Sequence, residues 1–112
     1  MLAVISVLDV LAVEPGRLDD VRRRVRDELV PLMAELDMHL RRTWMAPAVE
    51  LLDRSTELLC LWELADVAAF WRMRTVAARD SRVLAFWDGI GPMIDGRERR
   101  LLCDPDDGAV LR

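Results

Sequence analysis

The 112-residue chain has no lysine, tyrosine, asparagine or glutamine, and only one histidine, two cysteines and two phenylalanines. Each absence removes a class of chemistry. Without lysine there is no Schiff-base nucleophile; without tyrosine, no phenolic acid; without side-chain amides, no amide donor for an oxyanion. Cys60 and Cys103 stand far apart inside apolar runs, which reads as reduced core thiols and not as a disulfide framework. No CxxC or HExxH spacing occurs, so no metal site is expected. Gly89, Gly91 and Gly96 do not fit a phosphate loop for a flavin or nicotinamide, and one histidine at a strand start does not signal haem. No cofactor is expected.

Excess positive charge is missing too. All sixteen basic residues are arginine, but twenty acids are interleaved with them and the net charge is −4, which argues against a nucleic-acid partner. No apolar segment approaches the length of a membrane span, and the N-terminal apolar run has no basic region before it. A soluble, cytoplasmic, non-membrane protein is expected. The use of arginine in place of lysine suggests a GC-rich bacterial gene.

What remains is 53% apolar and 32% charged, the composition of one globular domain, expected over residues 1–105 with a polar tail at 106–112. The stretch at 3–13, AVISVLDVLAV, reads as a strand buried on both faces, interrupted by Ser6 and Asp9. After the Pro15-Gly16 turn, apolar residues at Leu18, Val21, Val25, Leu29, Leu32 and Leu36 follow helical spacing, with a kink or restart expected at Pro31. The stretch from His39 to Pro47 reads as an edge strand, and Leu58–Leu64 as a second buried strand with Glu63 as its intruder. Asp66 should cap a helix whose apolar side is Val67, Phe70, Trp71, Met73 and Val76. A break at 79–81 precedes further helix through Phe86 and Trp87, and a last strand covers 97–103.

The order β-α-β-β-α-β gives an α+β, ferredoxin-like fold: a four-stranded antiparallel sheet with two helices on one face. The first and third strands are apolar on both parities, so the uncovered face also needs burial. A second copy of the chain would supply it, and a homodimer with sheets packed face to face is expected.

Several motifs recur in register with a known family. These are EPG after the first strand, LVPLM in the first helix, TW in the second strand, LWELAD before the second helix, and RDSRVLAFWDGIGPMIDGRERRLL at the close. Together, over about residues 3–105, they resemble the NIPSNAP-type members of the dimeric α/β-barrel superfamily. The resemblance implies a homodimer with a cavity between sheet and helices or at the sheet interface. It implies no single chemistry, since the superfamily includes cofactor-free monooxygenases, polyketide cyclases, isomerases and haem-binding enzymes.

Three residues are candidate acids or bases. His39 has an unperturbed pKa near neutrality, though at a helix exit it could equally face water or hold a backbone carbonyl. Asp9 shares its parity with Val7 and Leu11, and the resemblance implies that this parity faces the barrel and not the helices. It would then act as a base, orient His39, or pair with Arg42, Arg97 or Arg99. Glu63 is the corresponding acid on the third strand. Two carboxylates facing one cavity would raise one pKa and favour base catalysis, unless each meets its own arginine. Trp44, Trp62 and Trp87 are candidate walls of an apolar pocket, and Arg42 a candidate holder of a substrate carboxylate or enolate.

Two functions follow. One is a cofactor-independent enzyme of bacterial secondary metabolism acting on an apolar, polyketide-like substrate by proton transfer: a cyclase, isomerase or dehydratase, or an oxygenase working through a substrate carbanion. The other is a non-catalytic homodimer that binds a hydrophobic small molecule or a protein partner, with its charged strand residues in structural ion pairs.

Overall fold

Strand β1 (Ile5–Val13) alternates: Val7, Asp9, Leu11 and Val13 are buried, and the residues between them are half-buried. In the computed structural model, which describes residues 4–106, this strand lies inside the sheet. Of the expected tail, 107–112 falls outside the described residues. Strand β3 (Thr56–Leu64) pairs antiparallel along the whole of β1 on one side, and β4 (Ile94–Leu102) pairs along the other. Strand β2 (His39–Ala46) adds to β3, giving the order β2-β3-β1-β4. This is the ferredoxin-like arrangement expected from the element order.

The two faces of the sheet differ. Thr56, Leu58, Cys60, Trp62 and Leu64 of β3 join Val7, Leu11 and Val13 on the buried face, under the helices. The opposite face carries Leu8, Val10, Leu59 and Leu61, all half-buried. The apolar run on both parities thus resolves into one covered face and one open face.

The first helical segment is continuous but not uniform. Helix α1 (Leu18–Arg24) passes through a single π turn at Val25–Leu29 into α2 (Val30–Ala34). Pro31 explains the irregularity. It has no N–H to give to the Asp27 carbonyl, and its ring needs the space that carbonyl would occupy. A wider turn just ahead of it accommodates both. The buried face runs through Leu18, Val21, Val25 and Leu29 to Met33, while Leu32 and Leu36 are only partly buried. The chain leaves α2 through Asp37, whose φ of 61° puts it in the left-handed region that aspartate tolerates better than most residues. The Met38 N–H reaches back 3.0 Å to the Met33 carbonyl, and Met38 is fully buried.

Helix α3 (Val67–Ala77) starts where Asp66 Oδ1 accepts the Ala69 N–H at 2.8 Å. Its buried stripe is Ala69, Phe70 and Met73. Val67, Trp71 and Val76, expected on that stripe, are exposed, Trp71 by 56%. One small sheet face seats all the helical segments, and each helix buries only a narrow stripe. Trp71 instead rests edge-on against Phe70, with 5.3 Å between ring centres. Helix α4 (Ser81–Ile90) is capped by Asp80, and bonds donated by the Arg82 side chain, then by the Arg82 backbone N–H, hold the Asp80 carboxyl below the usual range. Val83, Phe86 and Ile90 face the core, and a short turn at Gly91–Met93 leads into β4.

The cysteines differ from their expected common role. Cys60 is core, but Cys103 follows the last strand and is exposed. Burial, and secondarily Asp9 on the adjacent strand, push the Cys60 thiol up to about 12. At pH 8 only roughly one Cys60 in ten thousand would be thiolate. Titration with a disulfide-exchange reagent at that pH should therefore label Cys103 alone in the folded protein, and both cysteines after denaturation. Rapid labelling of both in the native state would contradict the placement of Cys60.

Candidate functional site

Asp9 is 1% exposed and shares its face with Val7 and Leu11, which pack against the helices. It does not face an open barrel, as the resemblance had implied. The reason is pairing: Arg99 lies directly opposite on β4, and its guanidinium donates Nε–H at 2.7 Å and Nη2–H at 3.0 Å to the two carboxylate oxygens. Such a bidentate, charge-assisted bond is what makes a carboxylate tolerable in the interior. Of the arginines anticipated as partners, Arg99 fills the role.

Glu63 is on the opposite face. It belongs to the open-face parity of β3, and Arg41 reaches it at 3.2 Å. Asp9 and Glu63 therefore do not share a cavity, and the expected repulsion between them does not arise. His39 begins β2 in register with Glu63 and is exposed, and its imidazole has no hydrogen-bond partner among the described residues. The two line a shallow hollow of about 250 Å³ with Asp37, Arg41 and Arg72 at the end of the sheet. His39 and Asp9 are thus on different strands and opposite faces. A register shift between Leu40 and Arg42 makes Arg41 the extra residue of a bulge. Trp44 is 43% exposed, aligned with Leu59, and the Arg42 guanidinium lies 5.5 Å from its ring centre. Trp62 is fully buried in the core, and its indole N–H has no acceptor among the described residues.

Of the expected wall residues, Trp87 lines a sizeable cleft. It lies between α3, α4 and β4 and has a volume of about 410 Å³. Met33, Met73, Val83 and Leu84 give it apolar walls, and Arg74, Arg97 and Arg99 its polar ones. Arg97 and Arg99 are two residues apart on β4, in register with Leu11 and Asp9, so both point to the helix side. The Arg97 guanidinium lies 3.4 Å from the Trp87 ring centre. Burial there, and then the neighbouring Arg99, lower its pKa, with Asp9 opposing, although the residue as a whole still reaches solvent. No carboxylate or imidazole lines this cleft among the described residues.

A hollow of similar volume separates α1 from β2, but its arginines are occupied on their own helix: Arg22 with Asp19, Arg23 with Asp20 and Arg26 with Asp27. The α3–α4–β4 cleft is therefore the better candidate site. Its arginines escaped sequence reasoning as site residues. Their signal was the Arg97/Arg99 spacing of two on a strand, legible as a shared face only once the register with Asp9 is known. Among the described residues no group of three or more His, Cys, Asp or Glu is placed to hold a metal ion. No described helix is long and apolar enough to cross a membrane.

Comparison of the sequence with protein-family models and with curated proteins gives no match. Comparison of the structure does. A NIPSNAP family protein from Agrobacterium tumefaciens superposes with a TM-score of 0.75 at 19% identity, covering 96% of this chain and 91% of that one. A NIPSNAP-like domain protein from Burkholderia xenovorans also gives 0.75, at 12% identity, over 100% and 94% of the two chains. A candidate antibiotic biosynthesis monooxygenase from Caulobacter crescentus gives 0.63 at 16% identity, over 90% and 89%. The chain has the NIPSNAP-like, ferredoxin-like fold, and the resemblance read from its motifs holds at the level of fold.

The Asp9–Arg99 pair predicts an asymmetry in urea denaturation. Arg99→Met strands a carboxylate away from water and should cost about 3–5 kcal/mol. Asp9→Asn leaves behind an arginine whose side chain is 26% exposed, and should cost less, about 1–3 kcal/mol. His39→Ala should stay within about 0.5 kcal/mol of the parent. The opposite order for Arg99 and Asp9 would mean that water reaches the carboxylate.

Proposed function

We propose that the protein works as a homodimer joined through its open sheet faces, and that the α3–α4–β4 cleft of each copy takes an apolar, polyketide-like small molecule. The observation that carries this reading is the cleft itself: about 410 Å³, within the range of small-molecule sites, with an indole and aliphatic walls around a few arginines. Arginines beside a bound enolisable substrate would stabilise its conjugate base, so proton loss could proceed without a cofactor. The chemistry would be cyclisation, isomerisation or dehydration, or oxygenation of the resulting carbanion by molecular oxygen, whose second atom leaves as water. The fold shared with a candidate antibiotic biosynthesis monooxygenase is compatible with that range. A cytoplasmic location accords with this role.

His39, Asp9 and Glu63 have little part in this reading. Asp9 and Glu63 are held by Arg99 and Arg41, and His39 opens onto the other face. One observation favours a non-catalytic binding protein instead: the cleft lacks a carboxylate or imidazole among the described residues, so a proton would have to leave to water.

Dimerisation is supported by the half-buried Leu8, Val10, Leu59 and Leu61, which form an apolar centre on the open face beside the exposed Trp44. Light scattering should give twice the 12.8 kDa chain mass, and Leu61→Arg should give a folded monomer. A monomeric parent protein would refute the assembly. For the chemistry, the flat diketone 1,3-diphenylpropane-1,3-dione offers a direct assay. Exchange of its central C–H for deuterium, followed by NMR, should run faster with protein than in buffer. Binding without acceleration would establish the non-catalytic reading.

A further inference from the structure

The three arginines of the cleft are not equivalent. Arg99 is committed: both of its bonds go to Asp9, and the pair is neutral as a unit. Arg74, exposed like Arg97, holds its guanidinium 5.9 Å from the Trp71 ring centre, and Trp71 is not part of the cleft lining. Arg97 has no ion-pair or hydrogen-bond partner among the described residues, yet its guanidinium is held against the Trp87 face at 3.4 Å. A cation stacked on an indole keeps its charge and its in-plane N–H donors, because the ring offers only its electron-rich face and accepts no bond from the guanidinium edge. Stacking also fixes the head of an otherwise flexible side chain, so less entropy is lost when a ligand engages it.

We propose that the cleft selects a flat, apolar ligand bearing a single negative charge, such as an aromatic carboxylate or a ring enolate, and that Arg97, stacked on Trp87, binds that charge. This rests on the reading of the cleft as a small-molecule site. Asp9 sets the charge count: by neutralising Arg99 it leaves one stacked cation in the β4 wall where two would otherwise stand. Trp87 and the apolar side chains opposite accept the ligand's body. A second negative charge meets no free cation at Arg99, because its charge is balanced by Asp9 although only two of its five N–H donors are engaged. A neutral ligand forgoes the charge-assisted part of the bond to Arg97.

The test uses two probes of one shape, 1-naphthoate and 1-naphthalenemethanol, titrated calorimetrically at pH 7 into the full-length protein. The parent should bind the acid at least about tenfold more tightly than the alcohol, as a charge-assisted bond predicts. Arg97→Met should abolish that preference, bringing the affinities for acid and alcohol to within about twofold of each other, whereas Arg74→Met should preserve the preference. Circular dichroism on each variant checks that the fold is kept, and Arg97→Lys, which retains the charge but not the planar stack, should recover only part of the loss. Equal binding of acid and alcohol by the parent would overturn the charge selection while leaving the cleft as a site. A preference lost in Arg74→Met but kept in Arg97→Met would overturn the assignment to Arg97. Failure of both probes to bind at millimolar concentration would remove the cleft as a small-molecule site, and the charge selection with it.

Discussion

A single buried ion pair, Asp9 with Arg99, constrains most of what surrounds it. A carboxylate 1% exposed between Val7 and Leu11 is tolerable only with both oxygens engaged. The requirement fixes β4 against β1 in one register, because a slip by one residue would carry Arg99 to the other face and leave Asp9 alone. It also turns Arg97, two residues away, toward the helices. The cleft's polar wall is in this sense a by-product of the pair that holds the sheet together.

The sheet separates two tasks by face. The helix side carries the core and, at its β4 margin, the cleft with Trp87 and the arginines. The open side carries an apolar centre of leucine and valine, edged by His39, Arg42, Trp44 and Glu63. Association through the open side would leave the cleft accessible, since the two lie on opposite sides of the strands. Assembly and ligand binding would then be coupled only through the strands, above all β1, whose alternate residues serve both.

The period-two and helical patterns were enough to place all four strands and the helices, because those patterns express burial on the scale of whole elements. The facing of individual residues was less legible. Trp71 and Val76 match a helical apolar stripe as well as Ala69 does, and only the width of the sheet beneath decides which are covered. Asp9 has a parity visible in the sequence, but which parity meets the helices depends on packing that no local pattern encodes. Arg97 and Arg99 look like part of a solvated RERR run until the antiparallel register sets them opposite Leu11 and Asp9. The π turn, by contrast, has a local cause in Pro31, although its exact form needed the structure.

The partners of the central ion pair stand ninety positions apart, one near each end of the described chain. During synthesis, Asp9 leaves the ribosome ninety residues before Arg99, which lies in the last strand of the sheet. Until then β1 can pair with β3 only while its carboxylate remains in contact with water, so the interior cannot close. The last strand to be made is therefore the one that permits the first to be buried. A nascent chain of this design stays open along one side of its central strand until translation of the domain is nearly complete.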